Sequence, residues 1–316
     1  MGTDSKIGWT HHTFNPWIGC TKIAPECEHC YAAEISNVYG FAKWGPNGTR
    51  RMKAAAAWRE PFQWMRDAAR AGERRRVFCA SLADFFEDWP GDILSTRKRP
   101  LAHDGQGNWV EVAADDFEAQ RVTMSDVRAK TFALIDATAA WLDWLLLTKR
   151  PHNVPRMWCS HVNTDGRPPS LLRRDNVWLG TSAGTQASLE KNVGPLKACH
   201  DLARVLFISG EPMLERVDYK PHLISSDGFA YMGPERGPVH VAHGGVGIGW
   251  LLLGLESGPK RRDPGVGVLL DAAEQATSIG TPVFVKQDCA LKPEQQGRIP
   301  NDVWSLKQFP RTVPYV

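Results

Sequence analysis

The feature that most constrains the fold is a set of six short apolar runs, each followed at once by polar or glycine-rich residues. Runs without polar alternation are typical of strands that are buried on both faces, as in a parallel sheet. Segments with helical character separate several of them, at 53–71, 125–142, 188–202 and 266–278. The apolar runs themselves lie at 76–80, 144–147, 177–180, 205–208, 250–253 and 282–285.

This alternation of strands and helices predicts an α/β fold, a partial or full (β/α) barrel of mainly parallel strands in one domain over residues 1–316. The alternative is a doubly wound open sheet, but neither a GxGxxG nor a Walker loop follows any strand. Two segments interrupt the alternation, 97–123 and 221–248, and we interpret them as insertions on the barrel rim. The first contains Asp104-Gly105-Gln106-Gly107-Asn108, which predicts a hairpin or a mobile loop.

The composition excludes few classes of function. The net charge of +3 is compatible with a nucleic-acid partner without requiring one. No stretch of about 18 apolar residues predicts a membrane span, and the first residues lack the apolar region of a secretory leader. These features predict a cytoplasmic protein.

Three cysteines are clustered near the start of the chain, Cys20, Cys27 and Cys30, with the spacing C-x6-C-x2-C. The chain has 7 cysteines, an odd number in a long chain, so reduced thiols are a better interpretation than a disulfide framework. Three thiolates can bind three irons of a [4Fe–4S] cluster and leave the fourth iron open to a small molecule. The alternative is a zinc site completed by a histidine, for which the candidates are His11, His12 and His29.

Polar side chains follow the predicted strands. Functional groups of a (β/α) barrel gather at the carboxyl ends of its strands, and the cysteine segment follows the first predicted strand, 13–18. We therefore expect the cysteines and these side chains on one face. The candidates are Ser81, Asp84, Lys149, Ser182, Glu211, Glu256 and Lys286.

The cysteine motif, continued by Tyr31-Ala32, resembles the cluster loop of radical S-adenosylmethionine (SAM) enzymes, whose usual spacing is C-x3-C-x2-C. The first gap is longer here. The whole chain resembles phage-associated three-cysteine-motif proteins, and the resemblance covers residues 8–287 apart from the two insertions. The matching segments are 9–10, 15–22, 81–86, 146–151, 180–182, 209–214, 254–259 and 284–287.

The resemblance implies roles for particular residues. Cys20, Cys27 and Cys30 would bind the cluster, and the amino and carboxylate groups of SAM would bind the open iron. One electron from an external donor would cleave SAM to a 5′-deoxyadenosyl radical that abstracts hydrogen from the substrate. The residues implied to bind SAM are Glu211, Ser81 or Asp84 for the amino group, Lys149 or Lys286 for the carboxylate, Ser182 for the ribose or carboxylate, Tyr31 or His29 for the adenine, and Glu256 as a further strand-end contact.

The sequence thus favours a radical SAM enzyme of a bacterial or phage-infected cell that modifies or repairs a substrate, with a nucleobase or phage DNA as the suggested class. The alternative is a zinc-stabilised, non-catalytic nucleic-acid-binding protein. A third interpretation is an iron–sulfur protein whose cluster is structural. The sequence identifies no catalytic hydrogen donor and no oligomeric state.

Overall fold

The computed structural model describes residues 5–158, 172–225, 229–231, 238–240 and 246–311. No described helix is long and apolar enough to cross a membrane. The helices are α1 (Tyr31–Tyr39), α2 (Glu60–Ala71), α3 (Met124–Ala137), α4 (Val154–Met157), α5 (Gln186–Lys197), α6 (Gly267–Ile279) and α7 (Asn301–Trp304), with 3-10 turns at Pro25–Cys27, Ala55–Arg59, Pro151–Asn153 and Lys220–His222. The strands are β1 (His12–Phe14), β2 (Trp17–Ile18), β3 (Arg50–Met52), β4 (Arg75–Cys79), β5 (Ile93–Leu94), β6 (Leu101–His103), β7 (Trp109–Glu111), β8 (Leu142–Thr148), β9 (Arg174–Ser182), β10 (Ala203–Met213), β11 (Phe229–Tyr231), β12 (Pro238–His240), β13 (Trp250–Leu255) and β14 (Val283–Gln287).

The main sheet has 7 strands in the order β1-β4-β8-β9-β10-β13-β14. The pairs β1–β4, β4–β8, β10–β13 and β13–β14 are parallel. The spatial order follows the chain order, whereas a doubly wound sheet reverses its winding at a switch point. The predicted α/β class with a partial (β/α) barrel is therefore confirmed.

The chain divides into two compact units. The first contains Met1–Ile23 and Cys30–Asn176, and the second contains Ala24–His29 and Val177–Val316. Strand β9 begins in the first unit and ends in the second. The prediction of one domain over the whole chain stays a prediction.

The predicted first strand, 13–18, is two strands, β1 and β2, with Asn15 and Pro16 between them. Strand β2 pairs with β3, which in turn pairs with β5, so this segment forms a small second sheet in the first unit. Proline lacks the backbone N–H that a continuous strand would use at this position. The break lets the chain leave the main sheet after Phe14 and turn toward the cysteines.

Aromatic side chains fill the core of the first unit. The ring of His12 stacks on Trp64 of α2 with 4.5 Å between centroids, and Phe14 packs edge-on against Trp144 of β8 at 5.6 Å. Helix α3 begins with a capping box, in which Thr123 accepts from the backbone N–H of Asp126 and the Asp126 carboxylate accepts from that of Thr123. The His12–Trp64 stack packs α2 against β1, and the capping box satisfies backbone groups at the start of α3.

The second unit has its own aromatic core, in which Trp178 of β9 meets Trp250 of β13 edge-on at 5.5 Å. The chain after α7 covers the free edge of β14: Gln308 N donates to Val283 O, and Val285 N donates to Leu306 O. Covering an edge strand satisfies its backbone groups and blocks pairing with another chain.

The first insertion is the predicted hairpin, made of antiparallel strands β6 and β7. The Asp104 carboxylate accepts from the backbone N–H groups of Gln106 and Asn108 and so shapes its turn. In the second insertion, β11 and β12 pair antiparallel, and Leu223 bridges Ile248. The other positions between 226 and 245 lie outside the described residues.

Candidate functional site

Cys20 follows β2 and is buried in the first unit. Gly19 precedes it with a φ of +114°, and a Cβ there would lie 2.4 Å from Thr49 O. Only glycine combines this backbone conformation with so close an approach. Gly19 therefore allows the chain to pass close to Thr49 immediately before the first cysteine.

Arg150 follows the carboxyl end of β8 and joins Cys20 to these loops. Its Nη1 lies 3.7 Å from Cys20 Sγ and donates to Asp84 Oδ2 at 2.8 Å. Its Nη2 donates to Thr21 O at 2.8 Å. One buried guanidinium thus holds both the sulfur and the backbone next to it.

Asp84 lies in the loop after β4, and both of its carboxylate oxygens have hydrogen-bond donors. Oδ1 accepts from the Thr148 hydroxyl at 2.6 Å and from Phe86 N at 3.1 Å. Oδ2 accepts from Arg150 and from the backbone N–H of Lys149 at 3.1 Å. Asp84 therefore joins the ends of β4 and β8, an arrangement that suits a positioning role better than an open ligand contact.

A second buried ion pair supports this network. Arg50 donates to both oxygens of Glu87, at 2.6 and 2.8 Å. Glu87 also accepts from Thr21 N at 2.8 Å, and the Arg50 guanidinium lies 4.0 Å from the Trp89 ring centroid. Two arginines and two carboxylates thus surround the Cys20-Thr21 peptide, and their formal charges balance.

This environment sets the protonation of Cys20. Burial raises the pKa of its thiol well above the ordinary value, and the carboxylates of Asp84 and Glu87 raise it further. The Arg150 guanidinium lowers the same pKa. Without a bound cation, the sulfur is therefore a neutral thiol.

Ser81, the first predicted contact after β4, has its polar groups engaged. Its hydroxyl exchanges hydrogen bonds with the Asn15 side chain, and its carbonyl accepts from the Tyr31 hydroxyl at 2.8 Å. Tyr31 begins α1 directly after Cys30, and it is 53% exposed although its hydroxyl is held. Cys30 packs against a small apolar cluster that includes Ala32. Ser81 and Tyr31 thus fasten the third cysteine to the end of β4.

Arg262 holds the segment that carries Cys27 in the second unit. Its guanidinium donates to Glu256, directly after β13, at 2.6 and 2.9 Å. It also donates to Glu28 at 2.7 Å and to Pro25 O at 3.2 Å. Burial raises the pKa of Glu256, but the hydrogen bonds from Arg262 and His29 outweigh this effect and hold the pKa below its usual value. Glu256 is therefore an ionised anchor for the cysteine segment.

Glu26, directly before Cys27, is a buried acidic residue, only 4% exposed. Its Oε1 accepts from Gly184 N at 2.9 Å, just after the end of β9. A Cβ at Gly184 would lie 1.8 Å from Pro212 O, so the close approach requires glycine. Its Oε2 is buried and has no hydrogen-bond partner among the described residues. A buried, unpartnered carboxylate oxygen is costly unless a ligand supplies a donor.

The other candidates of the second unit lie at the strand ends where the sequence predicts them. Glu211 of β10 and Lys286 of β14 form an ion pair. Ser182, the last residue of β9, is buried, and its carbonyl accepts from the Asn192 side chain at 3.2 Å. His29, a candidate for the adenine contact, lies with Nδ1 at 3.2 Å from the Glu256 carboxylate.

No group of three or more His, Cys, Asp or Glu side chains in the described part of the chain is arranged to hold a metal ion. The six described cysteines, Cys20 and Cys27 included, form no disulfide. The [4Fe–4S] cluster and SAM therefore stay predictions. Cys159 lies outside the described residues.

Sequence reasoning missed the residues that hold the cysteine segment in place. The sequence gives a signal for Glu87, which stands three residues after Asp84 in one loop, and for Arg262, in the basic run 260–262. Arg50 and Glu26 give none, because their partners are 37 and 158 residues away in the chain.

The comparisons with known proteins identify a family but no function. Neither curated proteins nor solved structures give a match to the chain. The model of a family described as a protein of unknown function, DUF5131, matches residues 4–95 and 95–302. These two segments cover nearly the whole chain, and the protein therefore belongs to the DUF5131 family.

Proposed function

We propose that this protein is a cytoplasmic radical-SAM-type enzyme. It uses an iron–sulfur cluster on Cys20, Cys27 and Cys30, together with an external electron donor, to cleave SAM and to modify or repair a nucleobase-bearing substrate. The observation that carries the proposal is the attachment of the cysteine segment within each unit. Arg150 and Asp84 tie Cys20 to the ends of β8 and β4, and Arg262 ties the Cys27 segment to Glu256 at the end of β13. Functional groups gather at these ends in (β/α) barrels.

The chemistry of the cysteines suits an anionic cluster. All three thiols are free. Because burial raises the pKa of Cys20, a bound cation is needed to displace its proton, and the nearby Arg150 stabilises the negative charge of the resulting thiolate. Arg150 also donates to Thr21 O, so the same side chain orients the ligand. When bound, the cluster supplies the electron for reductive cleavage of SAM.

Glu26 supports a ligand with hydrogen-bond donors beside Cys27. Its orphan Oε2 is the kind of acceptor that the cationic amino group of SAM requires. Gly184 N holds the other oxygen and fixes the direction of the carboxylate. We therefore assign Glu26 as the acceptor for the SAM amino group, in preference to Asp84, whose oxygens are both engaged within the protein.

The remaining candidates have more limited roles. The ring of Tyr31, which is 53% exposed, can pack on the adenine while its hydroxyl donates to Ser81 O. Lys286 is available to the SAM carboxylate only if its pairing with Glu211 changes, and Ser182 and Lys149 stay candidates for the positions given by the resemblance.

The zinc alternative is weaker because its candidate histidines already have partners. His11 accepts a hydrogen bond from Arg76 N at 2.8 Å, and the His12 ring stacks on Trp64. The third, His29, pairs with Glu256. A zinc ion would have to replace the nitrogen contact of His11 or His29, or enter the aromatic core around His12, which is 5% exposed.

Anaerobic reconstitution with iron and sulfide tests the proposal. We expect a brown protein that forms 5′-deoxyadenosine from SAM when reduced. Cys27→Ala should lose both the bound iron and the product. Cys199→Ala, at a free cysteine just after α5 with no proposed role, is the control and should keep both. A colourless protein that binds one zinc ion and leaves SAM intact would contradict the proposal.

A further inference from the structure

A cleft in the first unit is lined by residues that have no role in the proposed cluster and SAM site. It lies beside the end of α1 and strands β3 and β5, and its volume is about 410 Å³, within the range of ligand sites. Its lining contains three cationic side chains, Lys43, Arg51 and Lys98, one aromatic side chain, Phe41, and no acidic residue. This composition selects for an anion.

The three cations are not neutralised by the described part of the protein. None of Lys43, Arg51 and Lys98 forms an ion pair with a described carboxylate. Both lysines are exposed, whereas Arg51 is half-buried in β3, where its guanidinium lies 5.2 Å from the Phe41 ring centroid. Burial lowers the pKa of Arg51, so a bound anion would stabilise its charged form. An anionic group in this cleft therefore does not have to displace a described carboxylate of the protein in order to pair with these cations.

An aromatic pair stands at the same cleft. Tyr39, the last residue of α1, stacks on Phe41 with 5.4 Å between centroids and 19° between the ring planes. Gly40 between them has a φ of +61°, which reverses the chain and brings the two rings together. Tyr39 is 68% exposed, which is unusual for a large aromatic side chain. Exposed stacked aromatics beside cations are typical of surfaces that bind unpaired bases and phosphates.

The walls of the cleft are already ordered. Lys43 N donates to the Thr49 hydroxyl at 3.0 Å, and Thr49 N donates to Lys43 O at 2.7 Å. Ala42 N donates to the Ser36 hydroxyl at 3.0 Å. Ligand binding therefore costs little conformational entropy in this part of the backbone.

Positive charge continues beyond the cleft, which favours a polymer over a single nucleotide. Arg97 and Arg99 flank Lys98 in the same turn, and both are exposed. The ion pair of Arg97 with Glu111 is long, at 3.6 Å, and the Arg97 side chain is highly exposed. A chain of phosphates can contact this turn and the cleft together.

We propose that this cleft binds a single-stranded nucleic-acid segment, with phosphates on Lys43, Arg51 and Lys98 and a base on the ring of Tyr39. This deepens the proposed function, on which it rests, because it names the polymer that carries the substrate. A duplex fits less well, since its stacked bases are not free to pack on an aromatic side chain.

Binding of a fluorescein-labelled oligomer of about 12 deoxythymidines tests this by fluorescence anisotropy over a series of salt concentrations. The test variant is Lys43→Gln/Lys98→Asn, since asparagine tolerates the φ of +63° at position 98. The control is Lys191→Gln/Lys292→Asn, which removes two exposed lysines of the second unit and changes the net charge equally. We expect the test variant to bind about fivefold or more weakly, with a salt slope lower by about 1.4, and the control to bind like the parent.

The aromatic contact has its own pair of variants. Tyr39→Ala should weaken binding by about fivefold or more, whereas Tyr39→Phe keeps the ring and should bind like the parent. Equal binding by the two lysine variants, or by the two Tyr39 variants, overturns the proposal. The binding assay needs no cluster, so its failure with intact SAM cleavage overturns the cleft alone. Absence of SAM cleavage with the binding pattern intact overturns the proposed function alone.

Discussion

Replacement of Arg50 by methionine tests the buried network beside Cys20. The Arg50 side chain is completely buried, and it gives two short hydrogen bonds to Glu87, which is itself 2% exposed. Removing one partner of a buried pair leaves an uncompensated charge and costs about 3 to 5 kcal/mol. Glu87 keeps Thr21 N and a longer contact of 3.5 Å with Arg150, so we expect about 3 kcal/mol.

The assay is urea unfolding followed by circular dichroism, with Arg156→Met as the matched control. Arg156 also pairs with a carboxylate, that of Asp88, at 2.8 Å, but both side chains are exposed. Such pairs contribute about 0 to 1 kcal/mol. The double variant Arg50→Met/Glu87→Leu should recover most of the lost stability, because it removes the stranded charge. The reasoning is refuted if Arg50→Met costs no more than Arg156→Met, or if the double variant is no more stable than Arg50→Met.

Three further predictions concern other contacts. Gly184→Ala should destabilise the protein by about 2 kcal/mol or more in the same unfolding assay, because its Cβ would lie 1.8 Å from Pro212 O; parental stability would contradict the close approach. Burial and neighbouring arginines lower the pKa of His11 to about 4, so the folded state favours the neutral ring. This preference contributes about 1 to 2 kcal/mol to the free energy of unfolding, which is complete above pH 6.5 and is lost as the pH falls from about 6.5 through 4. His11→Asn should reduce this loss of stability. Identical pH profiles of unfolding for the parent and the variant would refute the reasoning. Glu26→Gln should weaken SAM binding to the reconstituted protein about tenfold in an equilibrium binding assay and leave its iron content unchanged. The control Glu60→Gln, at another carboxylate oxygen that is buried and has no hydrogen-bond partner among the described residues, should change neither. Equal SAM affinities of the two variants would remove Glu26 from the site.

The sequence predicted the strands of the main sheet well, because burial on both faces leaves a continuous apolar run that needs no knowledge of neighbours. The run at 250–253, for example, lies within β13. The first strand was less well placed, since Pro16 divides the segment between β1 and β2. Pro61 does not interrupt a helix in this way, because it lies in the first turn of α2, where a proline is tolerated.

The site was only partly predictable. Position after a predicted strand selected Asp84 and Glu256 as candidates, and each of them pairs with an arginine within its own unit. The long-range contacts that hold the cysteine segment could not be predicted in the same way. The Arg150 contact with Cys20 spans 130 residues, and the Glu26 contact with Gly184 spans 158. Such pairings depend on the final packing of loops, and no local pattern encodes them.

Electron paramagnetic resonance of the reduced, reconstituted protein, recorded with and without SAM, tests the central claim most directly. The account predicts the signal of a [4Fe–4S] cluster that changes when SAM is added, because an iron without a protein ligand can bind it. A signal that stays the same at saturating SAM would mean that the cluster has no open iron. Absence of any cluster signal from protein with intact Cys20, Cys27 and Cys30 would contradict the account outright.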